Sequence, residues 1–236
     1  MSTIRFDHVA IAVPRIADAL PVLVGRFGGV PERGAPSRGF RWGAWTFAGG
    51  GRIELIEPMG ADGFLHRFLA QRGPGVHHLT FKVPDLAEAC DRARAQGYEI
   101  VGYDDSRPAW KEAFLHPKQA LGIVVQFAQS SDIDGRRWRW EPPAGPPDPP
   151  PPATIVGVRL RARSPARAHA QWRSVLLGEE ASESGGALVY RWPGSPMKIT
   201  VEIDPTGAEG PLAIEVAGAG DVVREPALGV VFAPAG

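Results

Sequence analysis

The sequence HVAIAVPRIADA at residues 8–19 matches HLTFKVPDLAEA at residues 78–89 position by position, without a gap. In each copy, apolar side chains recur at every second position up to a proline, which is the period of a strand buried on one face. A stripe with helical spacing follows in the second copy: Leu86, Ala89, Cys90 and Ala93. The repeat therefore predicts two equivalent units, each beginning with a strand and continuing with a helix.

Further segments complete the two units. Strand-like composition marks four more candidates at residues 43–48, 52–57, 111–115 and 123–128. The first helix is expected to be irregular, because Pro21 lies inside it. Residues 1–130 are thus predicted to form an α+β domain of two β-α-β-β-β units, which pack as a half-barrel with a cup on its concave face.

A proline-rich segment divides the chain. Eight of the eleven residues from 142 to 152 are proline, a composition that excludes helix and favours a stiff spacer. Residues 131–153 are therefore predicted to be a linker. A basic and aromatic cluster precedes the prolines: Arg136, Arg137, Trp138, Arg139 and Trp140. Its tryptophans are expected to anchor the linker on the first domain, with a cation–π patch for a ligand or another chain as the alternative.

Residues 154–236 repeat the pattern in reduced form. Residues 158–162 alternate as a strand, residues 168–176 carry a helical stripe, and further strand candidates follow at residues 188–192 and 198–203. A fourth unit keeps only its first and last strands, since the segment between them is too short for a helix. The second half is therefore predicted to be a degenerate copy of the first domain.

The overall composition points to a small-molecule partner. The 26 basic residues balance 26 acidic ones, so no net charge favours nucleic acid. No apolar run is long enough to span a membrane, and residues 1–5 lack the apolar core of a signal peptide. Cys90 is the single cysteine, which excludes an intramolecular disulfide. We therefore expect a cytoplasmic protein.

Two histidines occupy equivalent places in the repeat. His8 and His78 begin the two copies and lie on the polar face of their strands. The last strand of each unit carries one polar residue within an apolar run, Glu54 in the first unit and Gln126 in the second. A single histidine on a strand is usually structural. Two such pairs related by a repeat, however, make a set of nitrogen and oxygen ligands that suits a divalent metal.

The corresponding positions of the second half carry no ligands. Gly157 aligns with His8, and Ala233 aligns with Gln126. Residues 154–236 are therefore predicted to bind no metal through these positions. We expect this domain to cover the first one or to replace a dimer partner, which makes the protein a monomer with an internal pseudo-dimer, or a homodimer.

The first domain resembles the vicinal oxygen chelate superfamily, which includes glyoxalases, bleomycin resistance proteins and extradiol dioxygenases, and is most similar to the methylmalonyl-CoA epimerase family. Four motifs within residues 4–129 carry the resemblance: FDHVAIAVP at 6–14, IELIEP at 53–58, GVHHL at 75–79 and FLHPK at 114–118. The resemblance implies metal ligands at His8, Glu54, His78 and Gln126. It also implies a divalent ion, such as Co, Ni, Mn, Zn or Fe, that holds vicinal substrate oxygens and stabilises an enolate-like anion.

The sequence departs from the epimerase pattern in its proton-transfer groups. Gln126 replaces a glutamate and cannot act as a base, and residues 35–40 lack the carboxylate of the loop before the third strand. The remaining catalytic candidates are Glu57, Glu112 and His116. His116 and Lys118 are also candidates for contact with an anionic substrate, with a turn cap as the alternative role.

The sequence therefore favours a metal-dependent enzyme of the isomerase, epimerase or lyase type, acting on a small oxygenated or acyl-thioester substrate. Because these carboxylates are missing, a non-catalytic protein that binds or sequesters a small molecule is an alternative interpretation. A ring-cleaving dioxygenase is a third possibility, since two histidines and a carboxylate hold Fe(II). It is less favoured, because in dioxygenases of this superfamily the carboxylate normally takes the position of Gln126.

Overall fold

The structure is a computed structural model that describes residues 3–130, 140–182, 186–218 and 221–235. The described residues form one eight-stranded and one seven-stranded sheet, and helices pack against them. This α+β architecture of two half-barrels, the second a reduced copy of the first, confirms the predicted fold class.

The first unit contains five elements in the predicted β-α-β-β-β order. They are β1 (Arg5–Ala12), α1 (Ile16–Leu23), β2 (Val30–Ser37), β3 (Phe40–Thr46) and β4 (Arg52–Pro58). The pattern analysis missed β2, whose sequence VPERGAPS contains two prolines and a glycine. Such a sequence is tolerated because β2 is the edge strand of its sheet.

The second unit repeats this order after an inserted helix. The insertion is α2 (Phe64–Arg72), and the unit consists of β5 (Gly75–Lys82), α3 (Leu86–Ala95), β6 (Ile100–Asp104), β7 (Lys111–Leu115) and β8 (Val124–Gln129). Leu65 of α2 packs against Ala12 and Ile56, so α2 closes one end of the concave face. None of the described helices is long and apolar enough to span a membrane.

The second sheet belongs to residues 154–234. Its elements are β9 (Thr154–Ala162), α4 (Pro165–Ala168), a π-helical turn (His169–Val175), β10 (Glu179–Ser182), β11 (Leu188–Arg191), β12 (Lys198–Ile203), β13 (Gly210–Ala217), β14 (Val223–Glu225) and β15 (Val230–Pro234). Strand orders are β2-β3-β4-β1-β5-β8-β7-β6 in the first sheet and β10-β11-β12-β9-β13-β15-β14 in the second.

Strand register relates the two units of the first sheet by a pseudo-twofold axis between β1 and β5. His8 pairs with Thr80, and His78 pairs with Ala10 across this antiparallel ladder. Ala10 is in turn aligned with Glu54 of β4, as Thr80 is with Gln126 of β8. The repeat in the sequence is therefore a symmetry of the sheet, which brings the four predicted ligand positions to its centre.

The two sheets share one hydrophobic core. The ring of Phe81 lies 4.8 Å from that of Trp192 and 6.0 Å from that of Trp172, both in the second domain. Polar contacts also cross the junction: Ser195 Oγ donates to the carbonyl oxygen of Phe6, and Arg26 pairs with Glu225 at 2.6 Å. The second domain is thus packed directly against the first.

The linker lies against the first domain where it is described. The ring of Trp140 comes within 2.5 Å of the position that a Cβ atom of Gly34 would occupy, so only glycine fits there. The Arg41 guanidinium lies 5.2 Å from the same ring. Arg136, Arg137, Trp138 and Arg139, the rest of the basic and aromatic cluster, lie outside the described residues.

Candidate metal centre

His8, Glu54 and His78 converge at the centre of the concave face. Glu54 Oε1 lies 3.7 Å from His8 Nε2 and 4.0 Å from His78 Nε2. One ligand atom from each of the three residues lies within 4.8 Å of the others. Both histidines are buried, and the Glu54 side chain is only 14% exposed.

These separations fit a bound cation. Nitrogen and oxygen ligands lie about 2.1 Å from a metal ion, so neighbouring ligand atoms are roughly 3 to 4 Å apart. His8 Nε2 is a buried atom without a hydrogen-bond partner within the described residues. Burial raises the pKa of the Glu54 carboxyl, and the nearby His8 opposes this only in part. A buried anion beside an unpartnered nitrogen is the arrangement that a cation would stabilise.

Asp7 orients the His8 ring. Its Oδ2 lies 2.8 Å from His8 Nδ1, and its Oδ1 accepts from Arg52 at 3.2 Å. Burial raises the pKa of Asp7, but the hydrogen bond with His8 and the charges of His8, Arg52 and Lys82 outweigh burial and lower it. An ionised carboxylate on Nδ1 keeps the proton there, which directs the Nε2 lone pair towards Glu54. Carboxylates behind metal-binding histidines commonly have this role.

His77 has the corresponding place behind His78. The two Nδ1 atoms lie 2.9 Å apart. Burial and Arg72 lower the pKa of His77 to about 4, and burial, His77 and His8 lower the pKa of His78. Both rings are therefore neutral near pH 7, the state that a metal ligand requires. The sequence analysis did not identify this role, because the counterpart of His77 in the repeat is Asp7, a residue of a different type.

Gln126 lies in the same cleft and is held by a hydrogen-bonded network. Its Oε1 accepts from Thr80 Oγ1 at 2.6 Å, and its Nε2 donates to Glu112 Oε2 at 2.8 Å. Trp110 Nε1 donates to the same Glu112 oxygen at 2.7 Å. The amide oxygen of Gln126 keeps a second lone pair for a ligand. Its role as the fourth metal ligand remains a prediction.

The triad opens into a cleft of about 2030 Å³. Aromatic, arginine and lysine side chains line the cleft, and α2 contributes Phe64, Arg67, Phe68, Gln71 and Arg72. Three residues of the second domain, Arg163, Ala208 and Glu209, complete the wall next to Lys118 and Gly122. The cleft is large enough for a sizeable organic ligand.

Comparisons with known proteins identify the family. A sequence model of the Glyoxalase/Bleomycin resistance protein/Dioxygenase superfamily matches residues 7–114. The chain is 31% identical to ethylmalonyl-CoA/methylmalonyl-CoA epimerase of Cereibacter sphaeroides, over 53% of this chain and 97% of that protein. It is 30% identical to the uncharacterized protein YqjC of Bacillus subtilis, over 53% of this chain and 91% of that protein.

The chain belongs to the Glyoxalase/Bleomycin resistance protein/Dioxygenase superfamily. A triple mutant of 4-hydroxymandelate synthase from Streptomyces coelicolor shares the fold over 92% of this chain and 71% of its own, with a TM-score of 0.62 and 14% identity. That likeness extends over both sheets, whereas the family match lies within the first. The superfamily resemblance inferred from the motifs is thus confirmed.

The other site candidates of this superfamily member lie in different places. Glu57 is not among the residues lining the cleft: it accepts from Ile16 N at the start of α1 at 2.6 Å and from Arg41 at 2.9 Å. The Glu57 carboxylate thus contacts the start of α1 and Arg41 and is not part of the cleft lining. His116 and Lys118 line the cleft and are exposed, and His116 Nδ1 accepts from Lys118 N as in a turn cap. Glu112 lies inside the cleft.

The second sheet carries other residues at the ligand positions. Gly157 precedes α4 by eight residues, as His8 precedes α1. Register then gives the full set of equivalents of His8, Glu54, His78 and Gln126: Gly157, Thr200, Ala213 and Ala233. Glu215, at the position of Thr80, is fully buried and accepts from Arg159 and Thr200 at 2.7 and 2.8 Å.

Proposed function

We propose that this protein is a divalent-metal-dependent enzyme that moves a proton at the carbon next to the carbonyl group of an acyl thioester or similar small substrate. The observation that carries this proposal is the convergence of His8, Glu54 and His78 in an open cleft. Similarity to an epimerase that acts on ethylmalonyl-CoA and methylmalonyl-CoA supports a thioester.

The three converging side chains would hold the ion, with the Gln126 amide oxygen as the fourth protein ligand. A bound divalent ion supplies Lewis acidity to the oxygens of the substrate, which favours loss of a neighbouring proton. Co, Ni, Mn, Zn and Fe are all compatible with two imidazoles, a carboxylate and an amide. Asp7 and His77 keep the two imidazoles in the orientation and charge state for this role.

Glu112 is the carboxylate placed to take the proton. Trp110 and Gln126 both donate to its Oε2, which leaves Oε1 as the oxygen for the substrate. The carbon–hydrogen bond breaks and the proton passes to Glu112. The electron pair of that bond forms a carbon–carbon double bond, and the π pair of the carbonyl group moves to the carbonyl oxygen. Returning that proton to the same or a neighbouring atom completes an isomerisation with no change of oxidation state.

The pseudo-twofold axis indicates a single base. Glu112 on β7 is aligned with Ala128, and the equivalent residue on β3 is Trp42, which is aligned with Ile56. One side of the cup thus has a carboxylate and the other an indole. This asymmetry favours isomerase or lyase chemistry, with removal and return of the proton on one face, over epimerisation by two opposed bases.

A protein that binds a small molecule without turnover is the second candidate. Two features favour such a binding protein. The position equivalent to Glu112 is occupied by Trp42 and offers no second carboxylate, and the cleft is large. Ring-cleaving dioxygenase activity is less favoured. The carboxylate of the triad is Glu54 of β4, whereas the position on β8 where such dioxygenases carry it is occupied by Gln126.

Calorimetric titration with Mn(II), Co(II), Ni(II) and Zn(II) tests the metal site. We expect His8→Ala and His78→Ala each to weaken binding at least a hundredfold, while His66→Ala, a control on α2 outside the cleft, leaves it unchanged. Exchange of the C2 hydrogen of methylmalonyl-CoA in heavy water, followed by mass spectrometry, tests the reaction. Unaltered metal affinity in both histidine variants contradicts the site. Metal binding without any exchange favours the binding protein.

A further inference from the structure

Four basic side chains meet at one end of the cleft. They come from neighbouring strands on the same side of the metal triad and line the cleft together: Arg33 of β2, Arg52 of β4, Arg5 of β1 and Lys82 of β5. We call this group the basic end. The pseudo-twofold axis relates Lys82 to Ala12 at the opposite end, which α2 covers. The symmetry therefore does not repeat the basic end, although Arg67 and Arg72 of α2 also line the cleft.

The positive charges of the basic end lie close together. Arg5 and Lys82 lie directly opposite each other in the β1–β5 ladder, an arrangement of like charges that destabilises a sheet. Glu32 and Asp7 form ion pairs with members of this group. Glu32 lies 2.7 Å from Arg52 and 3.7 Å from Arg33, and Asp7 lies 3.2 Å from Arg52. Beside the candidate metal centre, the four basic side chains line the cleft together with two acidic ones, Asp7 and Glu54.

Lys82 is fixed within this group. Its Nζ lies 2.9 Å from Ser130 Oγ and 3.7 Å from the centre of the Trp110 ring. These contacts account for two of the three N–H donors of an ammonium group. Burial lowers the pKa of Lys82 to about 8 despite Asp7, and Arg33, Arg52 and Arg5 add to this effect. An anion bound at this place would relieve the crowding of positive charge.

We propose that the basic end binds an oxyanion of the substrate, a carboxylate or a phosphate group, with Lys82 as its central contact. The inference rests on the proposed function only in taking the oxyanion to be part of the substrate. His78 and Lys82 are four residues apart on β5, roughly 13 Å along the strand. The substrate would therefore carry an anionic group several bonds away from the oxygens at the metal.

The four lysines of the chain make this site directly observable. Labelling with 13Cε-lysine gives one signal each for Lys82, Lys111, Lys118 and Lys198. We would titrate the full-length protein with inorganic phosphate and, separately, with succinate, at constant ionic strength and in the presence of EDTA. We expect one of these anions to shift the Lys82 signal saturably and to raise its pKa. The anion that binds more tightly identifies the oxyanion class.

Variants separate this site from general attraction of anions. Because substitution of Lys82 removes its own signal, binding of the same anion to the variants is measured by calorimetric titration. We expect Lys82→Met and Arg5→Gln each to weaken anion binding at least tenfold, and Lys82→Arg to retain it within about threefold. Lys118→Met is the matched control, because Lys118 lines the same cleft away from the basic end. The inference is wrong if neither anion shifts Lys82, or if Lys82→Met and Lys118→Met behave alike. Because EDTA removes metal ions, failure of the metal site does not affect this result.

Discussion

The two sheets have equivalent strand orders but opposite interiors. At the centre of the first, His8 Nε2 has no hydrogen-bond partner within the described residues, and Glu54 lies among imidazole nitrogens. At the centre of the second, Arg159 and Thr200 bond to Glu215. In the first sheet, Glu54 is thus available to a cation. In the second sheet, Glu215 is already paired with Arg159. The same backbone supports either a site or a filled interior.

Substitution of the two buried carboxylates gives the largest expected contrast. Glu215→Ala would leave Arg159 and Lys198 without their shared partner, so we expect unfolding to become easier by about 3–5 kcal/mol. Glu54→Gln removes a carboxylate whose close contacts are the imidazoles of His8 and His78, and it should change stability by less than about 1 kcal/mol in metal-free protein. Urea unfolding in EDTA measures both. Equal losses would contradict the distinction between the two interiors.

A charge change at Gln126 gives an intermediate effect. Two neutral histidines, Glu54 and Gln126 leave a divalent ion with a formal charge of +1. An added carboxylate at position 126 should tighten metal binding about tenfold, which corresponds to about 1.4 kcal/mol. Glu112 lies 2.8 Å from the Gln126 amide and would repel the new charge, so Gln126→Glu is best made together with Glu112→Gln. Calorimetry of the double variant, with Glu112→Gln alone as control, decides whether position 126 faces the ion.

The last prediction is that the oligomeric state does not change with protein concentration. If the second sheet stands in for a partner subunit, sedimentation should show a 25.3 kDa monomer over a wide range of protein concentration. The packing of Phe81 on Trp172 and Trp192 supports this view. A concentration-independent dimer would show that the second sheet does not replace a second chain.

Local pattern predicted much of the first sheet. Strand alternation and the repeat placed His8 and His78 on one face, and the structure brings both to Glu54. The strand at Lys111–Leu115 was predicted with its observed bounds. Such features depend on neighbours in the sequence, and a repeat doubles the information about them. The helix α2 and the edge strand β2 were missed, because their stability comes from packing and pairing with distant residues.

The sequence pattern did not predict which side chains contact each other. Glu57 and Glu112 were equal candidates for catalysis, yet one binds the start of α1 and the other lies in the cleft. His77 was left without a functional role, although it contacts His78. The sequence pattern did not single out Lys82. The roles of the glutamates and of Lys82 depend on contacts across 14 to 48 positions of sequence, such as Glu112 with Gln126 and Lys82 with Ser130.

The placement of both sheets on one chain has a genetic consequence. In a protein that pairs two identical subunits, every mutation of the gene appears in both, so both cups must change together. Here a codon change at Gly157 leaves His8 untouched. The second sheet can thus lose its ligand residues and fill its interior, while the first sheet keeps the residues that its chemistry requires.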